Sequence, residues 1–149
     1  MKKILMVCHG NICRSPMAEF VLKHLAAERG LNWEIASAAT SREEIGNDIH
    51  YGTKSKLREQ GIPFTRRQAR QITTRDYEYY DLLIGMDKHN LINMRRFYGS
   101  DPQNKLCLLL DFAEHPRDIA DPWYSGDFDA TYDDIREGCE GLLKKMTDA

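Results

Sequence analysis

The feature that most constrains this chain is an alternation. Short strand-like runs are each followed by a segment whose apolar residues recur at helical spacing. Ile4-Leu5-Met6-Val7, Trp33-Glu34-Ile35-Ala36, Asp81-Leu82-Leu83-Ile84-Gly85-Met86 and Leu106-Cys107-Leu108-Leu109-Leu110 read as strands. The last is apolar throughout, as an inner parallel strand is. Between them, Met17, Phe20, Val21, His24 and Leu25 mark one helix face and Leu91, Met94 and Phe97 another. Tyr132, Ile135, Cys139, Leu142, Leu143 and Met146 mark a C-terminal helix. Such a rhythm predicts βαβ units: a three-layer α/β domain with a four-stranded parallel sheet, right-handed crossovers and a ligand site at the C-terminal strand edge.

Punctuation sharpens the boundaries. Ser15 is expected to cap the first helix with Pro16 in its first position, and Gly30 to stop it. A polar loop over 37–48 leads to a helix through Lys54 and Leu57 that ends at Gly61. Thr73 or Thr74 caps a short helical turn. Asp87 caps the helix that ends at Gly99.

A chain of 149 residues without repeats or a Gly/Ser/Pro linker is expected to form one domain, residues 1–149. Its formal charge of −2 argues against a protein that coats nucleic acid or an anionic membrane. The apolar run at the N-terminus is too short for a signal peptide. The four cysteines, Cys8, Cys13, Cys107 and Cys139, form no CxxC pair, so neither a zinc ribbon nor a thioredoxin-type motif is expected. A cytosolic protein with free thiols is the expectation. Charge is nonetheless uneven: 17 basic and 12 acidic residues lie within residues 1–110, against 4 and 11 afterwards.

The decisive segment is Val7-Cys8-His9-Gly10-Asn11-Ile12-Cys13-Arg14-Ser15-Pro16, which joins a strand end to a helix start. Free N–H groups and the helix dipole favour an anion there. The five residues between Cys8 and Arg14 allow the loop to curl around a tetrahedral oxyanion as a nest of amides. Gly10 permits the curl, and Asn11 tolerates left-handed geometry or holds the loop with its amide. The phosphate-binding set is therefore His9, Gly10, Asn11, Ile12, Cys13, Arg14 and Ser15, with the His9 side chain at the rim. Arg14 suits a bidentate grip on two phosphoryl oxygens. In that field Cys8 is favoured as a thiolate aimed at phosphorus. An arbitrary Cys-x5-Arg is merely a buried cysteine and a surface arginine. Here the strand, the Gly-Asn pair and the Ser-Pro helix start all fall where the chemistry needs them.

Expelling an ester oxygen also needs a proton donor. Asp121, in Asp121-Pro122-Trp123-Tyr124, lies after the fourth strand on a segment stiffened by proline, so it can return over the same sheet edge and act as general acid. Trp123 and Tyr124, with Ile12, would wall a slot for a flat aromatic substrate. The competing interpretation is an ordinary Asp-Pro turn with two packed aromatics. Cys13, on the same loop as Cys8, is either a packed thiol or a redox candidate that traps oxidised Cys8 as a disulfide. Cys107 and Cys139 read as core.

Taken together, these segments resemble the low-molecular-weight protein tyrosine phosphatases over essentially the whole chain. The resemblance rests on the cysteine loop and Asp121-Pro122-Trp123-Tyr124, with Ser37-Ala38-Ala39-Thr40-Ser41, Glu44-Ile45-Gly46-Asn47, Ala69-Arg70-Gln71-Ile72 and Met86-Asp87 between them. It implies strand order 2-1-3-4, Cys8 as nucleophile, Arg14 as transition-state ligand and Asp121 as acid, then base. Asn11 and Ser15 would shape the loop, with Ser15 easing the departure of Cys8. The implied reaction is metal-independent hydrolysis of protein phosphotyrosine and small aryl phosphates through a cysteinyl-phosphate, with a mildly acidic optimum and no cofactor. Partners would be phosphotyrosine proteins, with no nucleic acid or membrane, and the chain a monomer or weak homodimer.

Two departures stand out. Arg67 replaces a histidine that many members carry before the Ala-Arg-Gln segment to anchor the loop asparagine. Asp48-Ile49 occupies a stretch where many have proline. Arsenate reductases of this fold use further cysteines around residues 80–90, where Tyr80 to Asn90 has none. A protein-arginine phosphatase is the nearer alternative, but some such members have threonine where Ile12 adds a non-polar branch. A binding module without turnover would have no need of Asp121.

Overall fold

The computed structural model describes residues 2–147. Four strands, β1 (Lys3–Cys8), β2 (Glu34–Ala39), β3 (Leu82–Gly85) and β4 (Leu106–Leu108), form one parallel sheet in the order β2-β1-β3-β4. The central strand β1 pairs Cys8 with Ala39 on one side and Val7 with Gly85 on the other. Its residues divide by parity between two cores. Ile4, Met6 and Cys8 pack with α1 (Arg14–Glu28) and α6 (Phe128–Thr147), while Leu5 and Val7 face Tyr77 of α3 (Thr74–Tyr79) and Met94 of α4 (Lys88–Tyr98). Ile4 to Val7 are fully buried, which explains why the run is continuously apolar rather than alternating. The remaining helices are α2 (Tyr51–Glu59) and the short α5 (Pro122–Ser125).

Several boundaries differ from expectation. Helix α1 begins at Arg14 with Cys13 at the cap and no side-chain capping bond. Ser15 is thus inside the helix, not its cap, because its hydroxyl is committed to the loop described below. Pro16 is third rather than first, still within the turn whose N–H groups have no helical acceptor. Strand β2 runs to Ala39, extended by β1 alongside it. Leu109 and Leu110 leave the sheet in a 3-10 turn, so β4 is shorter than its apolar run. Asp87 caps α4 as expected: its Oδ1 accepts from Asn90 N–H at 2.9 Å, while Asn90 Oδ1 accepts from Asp87 N–H at 3.2 Å. A Cβ on Gly85 would lie 3.1 Å from both Asn90 Cβ and Met94 Cε, so glycine there lets the start of α4 sit against the sheet edge. Among the described residues, no helix is long and apolar enough to cross a membrane.

Candidate active site

The loop between β1 and α1 leaves the central strand at its C-terminal end, beside the point where the chain switches from building one side of the sheet to the other. Its carbonyl groups are turned outward and held there. Cys8 C=O accepts from Thr40 N–H (2.9 Å), and His9 C=O from Ser41 N–H (3.1 Å) and Ser41 Oγ–H (2.8 Å). Ile12 C=O accepts from His50 N–H (2.9 Å) and Cys13 C=O from Thr53 Oγ–H (3.2 Å). Asn11 C=O accepts from Arg67 Nη2. Successive peptides that point their oxygens away from a common centre leave their N–H groups facing it, which is an anion nest. Asn11 takes the left-handed conformation that closes the ring, with φ of 59°.

Cys8 lies at the floor of this ring. Its Sγ accepts from Asn11 N–H at 3.3 Å and is 3.0 Å from Ser15 Oγ. Ser15 Oγ in turn accepts from Asn11 Nδ2 at 2.8 Å, which leaves the serine hydrogen for the sulfur. Asn11 Oδ1 accepts from Arg70 N–H at 3.3 Å, so this side chain ties the loop both to α1 and to the segment before α3.

Arg14 is 3% exposed and its Nη1 donates to Asp87 Oδ2 (2.7 Å) and to Ile119 C=O (2.8 Å). Among the described residues, Nε and Nη2 donate no hydrogen bond to the protein, leaving a two-pronged edge for an oxyanion. Burial works against the guanidinium, but the neighbouring Cys8, Asp87 and Asp121 outweigh it and raise its pKa further. Asp121 comes from the opposite wall: Oδ2 is 3.5 Å from Arg14 Nη2, and Oδ1 accepts from Trp123 N–H at 3.0 Å. The segment expected as a loop is thus the N-cap and first turn of α5, a signal that Asp-Pro carries in sequence. The long charge asymmetry closes up in space, with the arginine of the first half against the aspartate of the second.

The resulting cleft, about 220 Å³, is lined by the loop, Arg14, Glu43, Glu44, Asp121, Trp123 and Tyr124. It brings together every expected wall residue. His9 lies at the rim with Nε2 against Glu43 Oε2 at 2.9 Å, so its contribution to the ring is main-chain. Ile12 and Cys13 also line the cleft. Burial, helped by Cys8 and Asp121, pushes the Cys13 thiol up to about 12.

Residues to which the sequence assigned no part in the site complete it. Asp87, read as a helix cap, also holds Arg14. Glu43 and Glu44 form part of the mouth. His50 caps α2 by accepting from Gly52 N–H at 3.1 Å, and its ring stacks on Phe128 (5.7 Å) and meets Trp123 edge-on (5.5 Å). A histidine before an aromatic is a weak signal, and only the fold brings α5 beside it.

Residues 3–149 match the profile of the low molecular weight phosphotyrosine protein phosphatases. A protein-tyrosine-phosphatase of this type from Bacillus subtilis, YfkJ, is 41% identical over 98% of this chain and 96% of its own. The human low molecular weight phosphotyrosine protein phosphatase is 37% identical over 97% and 95%. In three dimensions the YfkJ crystal structure superposes with a TM-score of 0.95 at 39% identity, covering 99% of this chain and 96% of the other. A Drosophila arginine phosphatase superposes with a TM-score of 0.90 at 31% identity, covering 99% and 98%. The strand order, the loop that cradles Cys8 and the agreement along the whole length lead to one conclusion: the chain belongs to the low molecular weight phosphotyrosine protein phosphatase family, an enzyme family of hydrolases.

Proposed function

We propose that this enzyme hydrolyses protein phosphotyrosine and small aryl phosphates through a cysteinyl-phosphate. The observation that carries the reading is the ring itself, with Cys8 Sγ at its floor, a buried Arg14 whose Nε and Nη2 donate no hydrogen bond to the described residues, and Asp121 across the opening. Phosphate seats on the inward amides and Arg14. Cys8 attacks phosphorus in line as the phenolic oxygen leaves with the Asp121 proton. Asp121, now a carboxylate, takes a proton from water, and hydroxide attacks the cysteinyl-phosphate to release inorganic phosphate and the thiolate. The Ser15 hydroxyl stabilises the sulfur as it departs. Arg14 and the amides carry the charge spread over the equatorial oxygens, so the chemistry calls for no metal or cofactor.

Ile12, Trp123 and Tyr124 suit a flat aromatic leaving group. Arginine phosphatase activity is the second reading, favoured by the Drosophila neighbour. The four free cysteines suit a cytosolic setting. On this reading Cys13, on the same loop, condenses with a Cys8 sulfenic acid, losing water to form a disulfide, and peroxide treatment should yield a Cys8–Cys13 link by mass spectrometry. Sulfinic acid on Cys8 alone would remove that role.

The deciding measurement is turnover of p-nitrophenyl phosphate, a phosphotyrosine peptide and a phosphoarginine peptide in the presence of chelator, for the parent, Cys8→Ser and Asp121→Ala. Cys8→Ser should be inactive. Asp121→Ala should lose most where the leaving group is poor. Full activity in Cys8→Ser would sink the mechanism, and preference for phosphoarginine would overturn the substrate.

A further inference from the structure

Deepening that reading, and resting on it, we propose that Thr131 is a positioning residue for the general acid, holding the peptide that leads into Asp121. Residues 113–121 carry the chain from the 3-10 turn after β4 to α5 without a helix or strand of their own. The end of this strap is fixed one group at a time. Ile119 N–H donates to Met86 C=O at 3.0 Å, and Ile119 C=O accepts from Arg14 Nη1 at 2.8 Å. Ala120 C=O accepts from Thr131 Oγ1–H at 3.1 Å. Asp121 C=O then belongs to α5, accepting from Tyr124 N–H at 3.1 Å and Ser125 N–H at 3.2 Å.

Thr131 lies in the first turn of α6 and is completely buried. A helical threonine commonly turns its hydroxyl back to the carbonyl four residues earlier, and Oγ1 is indeed 3.2 Å from Asp127 C=O. That carbonyl has a second donor in Thr131 N–H at 3.3 Å, whereas Ala120 C=O accepts from no other group among the described residues. The Ala120 oxygen is therefore the one that depends on the hydroxyl. Ala120 precedes α5 and Asp127 follows it, so one side-chain oxygen spans the two ends of the segment that carries Asp121, Trp123 and Tyr124.

A peptide group is planar, so anchoring the Ala120 oxygen also fixes the Asp121 nitrogen and the direction in which its Cα leaves. Within the carboxyl, Oδ1 is taken by the Trp123 N–H of α5, while Oδ2 faces Arg14 at 3.5 Å. Where Oδ2 points is thus set by the backbone beneath it. Arg14 and Thr131 hold consecutive carbonyls, which ties the proton donor to the phosphate grip on one side and to α6 on the other. A misplacement of about 1 Å can cost about 100-fold where reacting groups must meet.

The test compares kcat/KM for phenyl phosphate, whose leaving group needs a proton, with that for p-nitrophenyl phosphate, whose leaving group departs readily as an anion. Thr131→Val removes the hydroxyl at nearly constant shape, and Thr131→Ser keeps it. Thr131→Val should lower kcat/KM about tenfold for phenyl phosphate and less than about twofold for p-nitrophenyl phosphate, a fraction of what general acid catalysis supplies. Thr131→Ser should restore both. In an Asp121→Ala background Thr131→Val should change neither, because the group it positions is gone. Equal losses on the two substrates, or a parental ratio in Thr131→Val, would mark a merely structural threonine and overturn the proposal. So would an undiminished effect in Asp121→Ala, or a Thr131→Ser as impaired as Thr131→Val. Should Thr131→Val not fold, Thr131→Ala decides by the same ratio. If Asp121→Ala itself loses no more on phenyl phosphate than on p-nitrophenyl phosphate, the proposed function has failed. If it does and Thr131→Val matches the parent, only the role of Thr131 has.

Discussion

Asp87 performs two tasks with two oxygens, and this makes the Arg14 pair a quantitative test of the site. Oδ1 caps α4, while Oδ2 holds a guanidinium that is 3% exposed. Removing one partner of a buried ion pair costs about 3–5 kcal/mol. Asp121 at 3.5 Å and Ile119 C=O remain beside Arg14 and offset part of that, which leaves about 2 kcal/mol for Asp87→Asn. Asp87→Ala also gives up the cap, worth about 1 kcal/mol more. Urea unfolding should thus rank parent, Asn variant and Ala variant at steps of about 2 and 1 kcal/mol, with Tm falling about 2–4 °C for each kcal/mol. In an Arg14→Met background the sign should reverse, because Asp87 is then the unpaired charge and its neutralisation stabilises. If both variants lie within about 0.5 kcal/mol of the parent, or if the penalty persists undiminished in Arg14→Met, the buried pair is not what holds the arginine.

Other perturbations probe separate parts of the molecule. Asp48 has its pKa lowered to about 2: burial raises it, but the Lys54 ammonium and the Ile49 and Arg67 amides outweigh that. Its contribution to stability is present above the usual 3.8 and is lost as pH falls toward about 2, so Asp48→Asn should flatten the acid limb of a stability profile between those values. Burial pushes the Cys13 and Cys107 thiols to about 12 and Cys139 further up, so iodoacetamide at pH 7 should label the native protein once, at Cys8, and native Cys8→Ser not at all, by mass spectrometry. Gly141→Ala would drive a Cβ from α6 into the Phe112 carbonyl oxygen of the 3-10 turn after β4, and urea unfolding should show a loss of about 1–3 kcal/mol. His50→Ala removes the ring against Trp123 and the cap of α2, and should reduce kcat on poor leaving groups more than on p-nitrophenyl phosphate, since α5 carries Asp121.

Much of this was legible in the chain. The Cys8 loop is local: strand, glycine, asparagine and helix start lie within a dozen residues, so spacing alone locates the ring. Asp121 could be placed because an Asp-Pro after the last strand has few routes except back over the sheet edge. Ser15 misled, since a serine before proline has the same appearance whether it caps a helix or lends its hydroxyl to a sulfur. Asp87 and Arg67 were harder still. Nothing near either residue in sequence refers to the loop, 73 and 56 residues away, and only the resemblance links Arg67 to it. The strand order rested on the resemblance, because periodicity identifies strands but not their neighbours.

The outward carbonyls of the ring have a consequence for how such an enzyme can change. The cradle is suspended by its main chain from Thr40, Ser41, His50, Thr53 and Arg67, all outside the loop. Its shape therefore asks little of the side chains at His9 and Ile12, which line the cleft. On the proposed function, gripping phosphate and choosing what carries it are divided between the backbone and side chains of one short ring. New selectivity can be drawn on the second while the first stays as it was built.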